Sequence, residues 1–273
     1  MNIKLAFVVV LLVPMVAWAG SAEVPKPRTV ENIDIRYDRP SRRSSEEAFW
    51  QILETQMAEK LRTVVREQIA VPDGLTIHFV DSREEDLYYD NVDNQIVVSY
   101  RFLPSLEKQL KRLDLDMTDE EIERAALRFT QVALLLEFSY ALLDKGDVFY
   151  VGTGQEQALP LMLVLLTESD KISNVDTFEL LGQFLAMTQQ IANAGDDKVG
   201  AFWRNRGLLP QPPYDEFCSV IGSDPTVYAG LAKGANYSPA RVKSCVKEFR
   251  NSKGGWLAQL RPLFKNNTAL GSL

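Results

Sequence analysis

Histidine is almost absent from this 273-residue chain, which holds only His78. A single imidazole closes off two-histidine zinc sites and histidine clusters. Cysteine is nearly as scarce: Cys218 and Cys245 cannot build a four-thiolate metal site, and neither lies in a C-x-x-C pair. Positive charge is short as well, with 30 Lys plus Arg against 37 Asp plus Glu and a formal charge of −7. Phosphate backbones and anionic lipid need clustered cations, so the overall balance argues against nucleic acid as a partner. What remains is the composition of an ordinary globular protein, 46% hydrophobic and 25% charged.

The first long apolar run explains some of that hydrophobic content. Lys4 precedes Leu5–Val16, and Ala17-Trp18-Ala19 has the small-x-small form of a signal-peptidase site. The run is shorter than the roughly 20 residues that cross a bilayer. Residues 1–19 therefore read as a secretory signal, residues 20–43 as a Pro-rich linker and residues 44–273 as one domain. The expected location is periplasmic or secreted, with no stable membrane anchor after cleavage. In an oxidising compartment Cys218 and Cys245 are expected to pair as a structural staple worth about 3 kcal/mol in the chain-entropy model.

Order is expected from Ser44, where Ser44-Ser45-Glu46-Glu47 has capping-box form and Phe49, Ile52, Leu53, Met57, Leu61, Val64 and Val65 recur at helical spacing to about Ile69. Leu75–Asp81 and Gln95–Phe102 read as strands, with an acidic, Tyr-containing loop between them. His78, in the first strand, reads as a partly buried strand residue. A second capping box, Thr118 to Glu121, opens a helix running to about Lys145 and stopped at Gly146. Its second half, Val132–Leu143, is apolar on nearly every face and belongs in the middle of a domain. Further helices are expected over residues 158–166, 177–194, 214–221, 239–249 and 256–264. Gly152-Thr153-Gly154 reads as a turn rather than a phosphate loop, because no Lys-Ser/Thr follows. Phe202, Trp203, Tyr214 and Phe217 read as packing. The fold class is α+β, mostly helical, with a small sheet.

Glu137 breaks the apolar run of the long helix, in Leu135-Leu136-Glu137-Phe138-Ser139-Tyr140-Ala141-Leu142. A carboxyl in such a place must take up a proton or find a donor, so it marks either a functional position or a local polar contact. The helix resembles the active-site helix of zincin metallopeptidases, in which H-E-x-x-H sets two zinc-binding imidazoles one turn apart beside a general base. Leu136 and Tyr140 stand where the two His would be. The likeness extends to the secreted bacterial metallopeptidase-like family called domain of unknown function 4344, through Tyr88-Tyr89-Asp90, Gln95–Tyr100, Gly154-Gln155-Glu156-Gln157, Phe202-Trp203, Cys218, Gly222-Ser223-Asp224-Pro225, Cys245, Glu248-Phe249 and Trp256.

That resemblance implies a zincin-like domain, with Glu137 at the vestigial general-base position, Leu136 and Tyr140 at degenerate metal-ligand positions, and Glu156 where a third, acidic ligand would stand. The residues themselves imply no metal and no cofactor, since carboxylates alone hold zinc weakly. The expected function is that of an inactive relative retaining a peptide or protein partner. Two alternatives remain: a metal-dependent peptidase with a non-standard site drawn from Glu137, Tyr140, Glu156 or His78, and a helical envelope scaffold without a cleft. A space beside Glu137 filled by Leu136 and Tyr140 favours the scaffold.

Overall fold

The computed structural model describes residues 33–71, 74–112, 116–146, 148–150, 154–168, 181–182 and 214–265, without the side chains of 155, 156 and 214–216. The stretch read as a signal sequence, Gly152-Thr153, most of the helix expected over 177–194, and Phe202-Trp203 lie outside the described residues. The chain forms an α+β fold, mostly helical, around a four-stranded mixed sheet.

The sheet has two more strands than the alternation of residues shows. Asp34–Tyr37 (β1), Thr76–Val80 (β2), Leu87–Asp90 (β3) and Gln95–Ser99 (β4) lie in the order β1-β2-β4-β3. β1 and β4 run parallel to β2, whereas β3 runs antiparallel to β4. β1 falls inside the stretch read as a linker, and β3 inside the stretch read as a loop. Both are edge strands of four residues, too short to display a period of two, and their pairing with a neighbour is what makes them strands.

Register sorts the sheet into two faces. Ile77, Ile96 and Tyr89 align across β2, β4 and β3, as do Phe79, Val98 and Leu87, and all six are buried. The other row joins Arg36, His78, Val97 and Tyr88. His78 thus sits on the face away from the core, with its Nε2 3.0 Å from Asp38 Oδ1.

Helices cover the inner face. Arg43–Thr55 (α1) and Met57–Gln68 (α2) replace the single helix expected to Ile69, because Gln56 adopts the left-handed conformation (φ 50°) between them. The expected Ser44–Glu47 capping box does not form. Ser45 is buried and donates through Oγ to Asp81 Oδ1 at 2.8 Å, while Asp81 Oδ2 accepts from the backbone N–H of Ser41 at 2.7 Å and of Arg42 at 3.2 Å. An acid just beyond β2 thus ties the start of α1 to the sheet, a long-range contact that no local motif encodes.

Phe102–Arg112 (α3) begins where the second strand was expected to end. Asp119–Lys145 (α4) follows with its capping box intact: Glu121 Oε2 accepts from Thr118 N–H at 2.7 Å, and Thr118 Oγ1 accepts from Glu121 N–H at 3.3 Å. α4 is long and apolar enough to cross a bilayer, yet 78% of its apolar window is buried in the protein, as befits a central helix. It packs on α3, β3, β4 and Gly154–Glu168 (α5).

Tyr214–Ser223 (α6), Ala229–Gly234 (α7) and Pro239–Leu260 (α8) form the C-terminal part. α8 is one helix where two were expected, continuing through Gly254-Gly255. The Cys218–Cys245 disulfide joins α6 to α8. Gly222 lies so close to the backbone of Cys245 that a Cβ there would overlap it, so glycine sets the helix spacing beside the bridge. A 3₁₀ turn, Arg261–Leu263, returns the chain to the end of α2, where Ala70 N–H donates to Leu263 O at 2.6 Å and Lys265 N–H to Gln68 O at 3.0 Å.

Burial works to raise the pKa of Asp81, but hydrogen bonds from Ser41 and Ser45 and the charge of Arg42 outweigh it and hold the carboxyl down at about 2, against 3.8 ordinarily. A depressed acid stabilises the fold fully above its unfolded pKa and loses that contribution as pH falls toward the folded value. Asp81→Asn is therefore expected to be less stable than the wild type at neutral pH by about 1–3 kcal/mol. In urea melts that difference should shrink between about pH 4 and about pH 2; an undiminished gap at the acid end would refute the assignment.

Candidate functional site

The helical repeat of α4 sets Glu137, Tyr140 and Asp144 on one stripe, at steps of three and four residues, and that stripe faces β3. All three side chains converge on Tyr89. Glu137 Oε2 accepts from the Tyr89 backbone N–H at 2.8 Å. The Tyr140 ring meets the Tyr89 ring edge-on, with centroids 5.5 Å apart. The Tyr89 hydroxyl lies 3.0 Å from Asp144 Oδ2 and 3.1 Å from Asn94 Oδ1, and Asn94 in turn donates through Nδ2 to Gly74 O at 2.7 Å.

The reason for this convergence is the edge of the sheet. β3 pairs with β4 on one side only, so alternate backbone N–H groups point away from the ladder. A buried backbone donor must be satisfied. Glu137 does this for Tyr89, which resolves why a carboxyl is tolerated in an otherwise apolar helix with only 7% of its surface exposed.

The neighbouring positions are packed. Leu136 is 5% exposed within the core. Tyr140 is half-buried, and a Cβ on Gly154 would fall inside its ring, so α5 can begin where it does only with glycine at that position. Burial pushes the Tyr140 phenol above its ordinary pKa, assisted by Tyr150, Asp144 and Glu137. Burial and Asp144 do the same to Tyr89. Both are neutral hydroxyls at physiological pH.

The sequence profile of domain of unknown function 4344, described as putative metallopeptidase, matches residues 37–260. This chain belongs to that family. No curated protein and no solved structure matches it.

Zinc is the metal that a metallopeptidase family implies, and it takes four donors in tetrahedral array, three of them from protein in a catalytic site. The residues of this family member do not fit it. Leu136 has no lone pair, Tyr140 offers a neutral phenol already packed on Tyr89 and Gly154, and Glu137 is engaged by the strand. Among the described residues no group of three His, Cys, Asp or Glu is placed to hold a metal ion. His78 is on the other face of the sheet, so it does not join Glu137 and Tyr140. Glu156 lies in the first turn of α5, and its side chain is outside the described residues. Of the expected site residues, the structure brings Glu137 and Tyr140 together on Tyr89 and joins Cys218 to Cys245, while Leu136 is buried in the core.

Tyr89, Asn94 and Asp144 are participants to which the sequence assigned no role at the site. Asp144 had a readable signal, seven residues beyond Glu137 on the same helix stripe. Tyr89 was marked only by the Tyr88-Tyr89-Asp90 segment of the family likeness, within a stretch read as a loop.

Truncation at Glu137 leaves the Tyr89 N–H buried without an acceptor, which costs about 1–3 kcal/mol beyond any packing loss. Glu137→Ala is expected to lower the urea midpoint accordingly and to speed hydrogen exchange at the Tyr89 amide. Glu137→Gln keeps an acceptor oxygen and should cost under about 1 kcal/mol. Equal losses in the two variants would show that the hydrogen bond is not what Glu137 supplies.

Proposed function

We propose that this chain is a catalytically silent member of its metallopeptidase family, an exported protein whose former catalytic helix has become an architectural one. The observation that carries this reading is the placement of Glu137, whose carboxyl accepts from the Tyr89 backbone N–H while Leu136 and Tyr140 occupy the positions of the two imidazoles. A general base needs a polarised water, and here the donors that would bind the metal are missing and the base is committed to the strand. The activity left to such a protein is interaction with a peptide or protein partner in the envelope. Because Leu136 is buried in the core and Tyr140 is packed on Tyr89 and against Gly154, we favour a scaffold that binds through its outer surface over one that holds a peptide at the old catalytic position. Export is supported by the Cys218–Cys245 bridge, which an oxidising compartment maintains.

Metal content and hydrolysis test the reading together. Protein purified without chelator from zinc-supplemented medium is expected to carry far less than one zinc per chain by plasma mass spectrometry, and to cleave unfolded protein substrates no faster than the Glu137→Gln variant does. Stoichiometric zinc accompanied by chelator-sensitive cleavage would overturn it and establish a peptidase with an altered site.

A further inference from the structure

The net charge of −7 conceals a strong separation of charge. Between Thr226 and Lys265 the sequence holds eight Lys or Arg and a single acid, Glu248. That acid is occupied by Arg241 Nη1 at 3.1 Å and Ser244 Oγ at 2.7 Å. On α8, Lys243, Lys247 and Arg250 follow at steps of four and three, which places them on one stripe about 10 Å long. All three are exposed, and none has an ion-pair partner among the described residues.

The complementary surface lies on α1. Glu47, Trp50 and Glu54 follow at steps of three and four on its outer stripe, and all three are exposed. Trp50 is 56% exposed, an unusual place for the largest apolar side chain. Glu107 and Glu123, from α3 and α4, add their charge beside Glu47, and Lys111 is the cation that partly offsets them. Negative charge is thus concentrated around an uncovered indole, whose face is the strongest aromatic acceptor for a cation.

The two stripes match residue for residue when the helices run antiparallel. Lys243 falls opposite Glu54, Lys247 opposite Trp50 and Arg250 opposite Glu47. One turn further along, Gly254 falls opposite Arg43, so the register meets no like-charge pair. Gly254 has open space where a side chain would be, which lets the facing helix approach. Within one chain these helices are not packed together: α8 lies against α5, α6 and the 3₁₀ turn.

We propose that α8 of one copy docks antiparallel on α1 of a second copy of this chain, through the pairs Lys243–Glu54, Lys247–Trp50 and Arg250–Glu47. A twofold arrangement forms the contact twice and closes the assembly. A single helix pair is small beside the roughly 1,200–2,000 Å² of a stable interface. The association is accordingly weak and electrostatic, strongest at low salt, where screening is least.

Sedimentation equilibrium on the purified protein at up to about 100 μM, in about 50 mM and about 500 mM salt, tests this. The wild type should associate at low salt and dissociate at high salt. Lys243→Glu combined with Arg250→Glu, and Glu47→Lys combined with Glu54→Arg, should each weaken association at least tenfold, with circular dichroism confirming the fold. An equimolar mixture of the two double variants should associate again, because each carries the charges that the other now needs. Trp50→Ala should weaken the wild-type association with no change in net charge. A wild type that stays monomeric at low salt, or two double variants that fail to rescue each other, would overturn the proposal.

Discussion

The backbone N–H of Tyr89 points out of an edge strand into protein, and its acceptor is the carboxyl of Glu137 on the central helix. That hydrogen bond ties the sheet to α4 at one of its two edges, where β3 has no further strand to pair with. Tyr140 and Asp144, on the same helix stripe, hold the ring and the hydroxyl of the same tyrosine. Because α4 also carries α3 and α5 on its other sides, the position of the sheet relative to the helical part follows from how Tyr89 is held.

A carboxyl that completes a backbone ladder is chemically different from one that activates water. A zincin-type H-E-x-x-H helix requires side chains with lone pairs on either side of that acid. Here the same helical spacing presents an alkyl group and a neutral phenol, both engaged in packing. Architecture and chemistry separate at this point: the helix is long, buried and set against the sheet, and Leu136 and Tyr140 fill space where a zinc site would need donor atoms.

Much of the fold was legible residue by residue. α4 could be read from its capping box and apolar run, because both are local signals, and β2 and β4 from their alternation. The edge strands β1 and β3 could not, since four residues show no period and their partners lie 42 residues away for β1 and 5 to 11 residues away for β3 in the register. The break at Gln56 was hidden for a related reason: the apolar spacing continues across it, and only packing reveals that two helices share one pattern. The start of α1 misled because Ser44–Glu47 has the local form of a cap, whereas Asp81 supplies the stronger acceptor from a distance.

Composition and spacing alone determined that two imidazoles were unavailable, that one helix would be central, and that Glu137 would be an acid in apolar surroundings. Those are properties of which atoms exist and of the helical repeat. Only tertiary structure decided what Glu137 does there, which face of the sheet His78 occupies, and which tyrosine the helix stripe meets. The first and the last depend on the edge strand β3 and the second on the register of β2 with its neighbours, and pairing is a relation between segments rather than a property of either one.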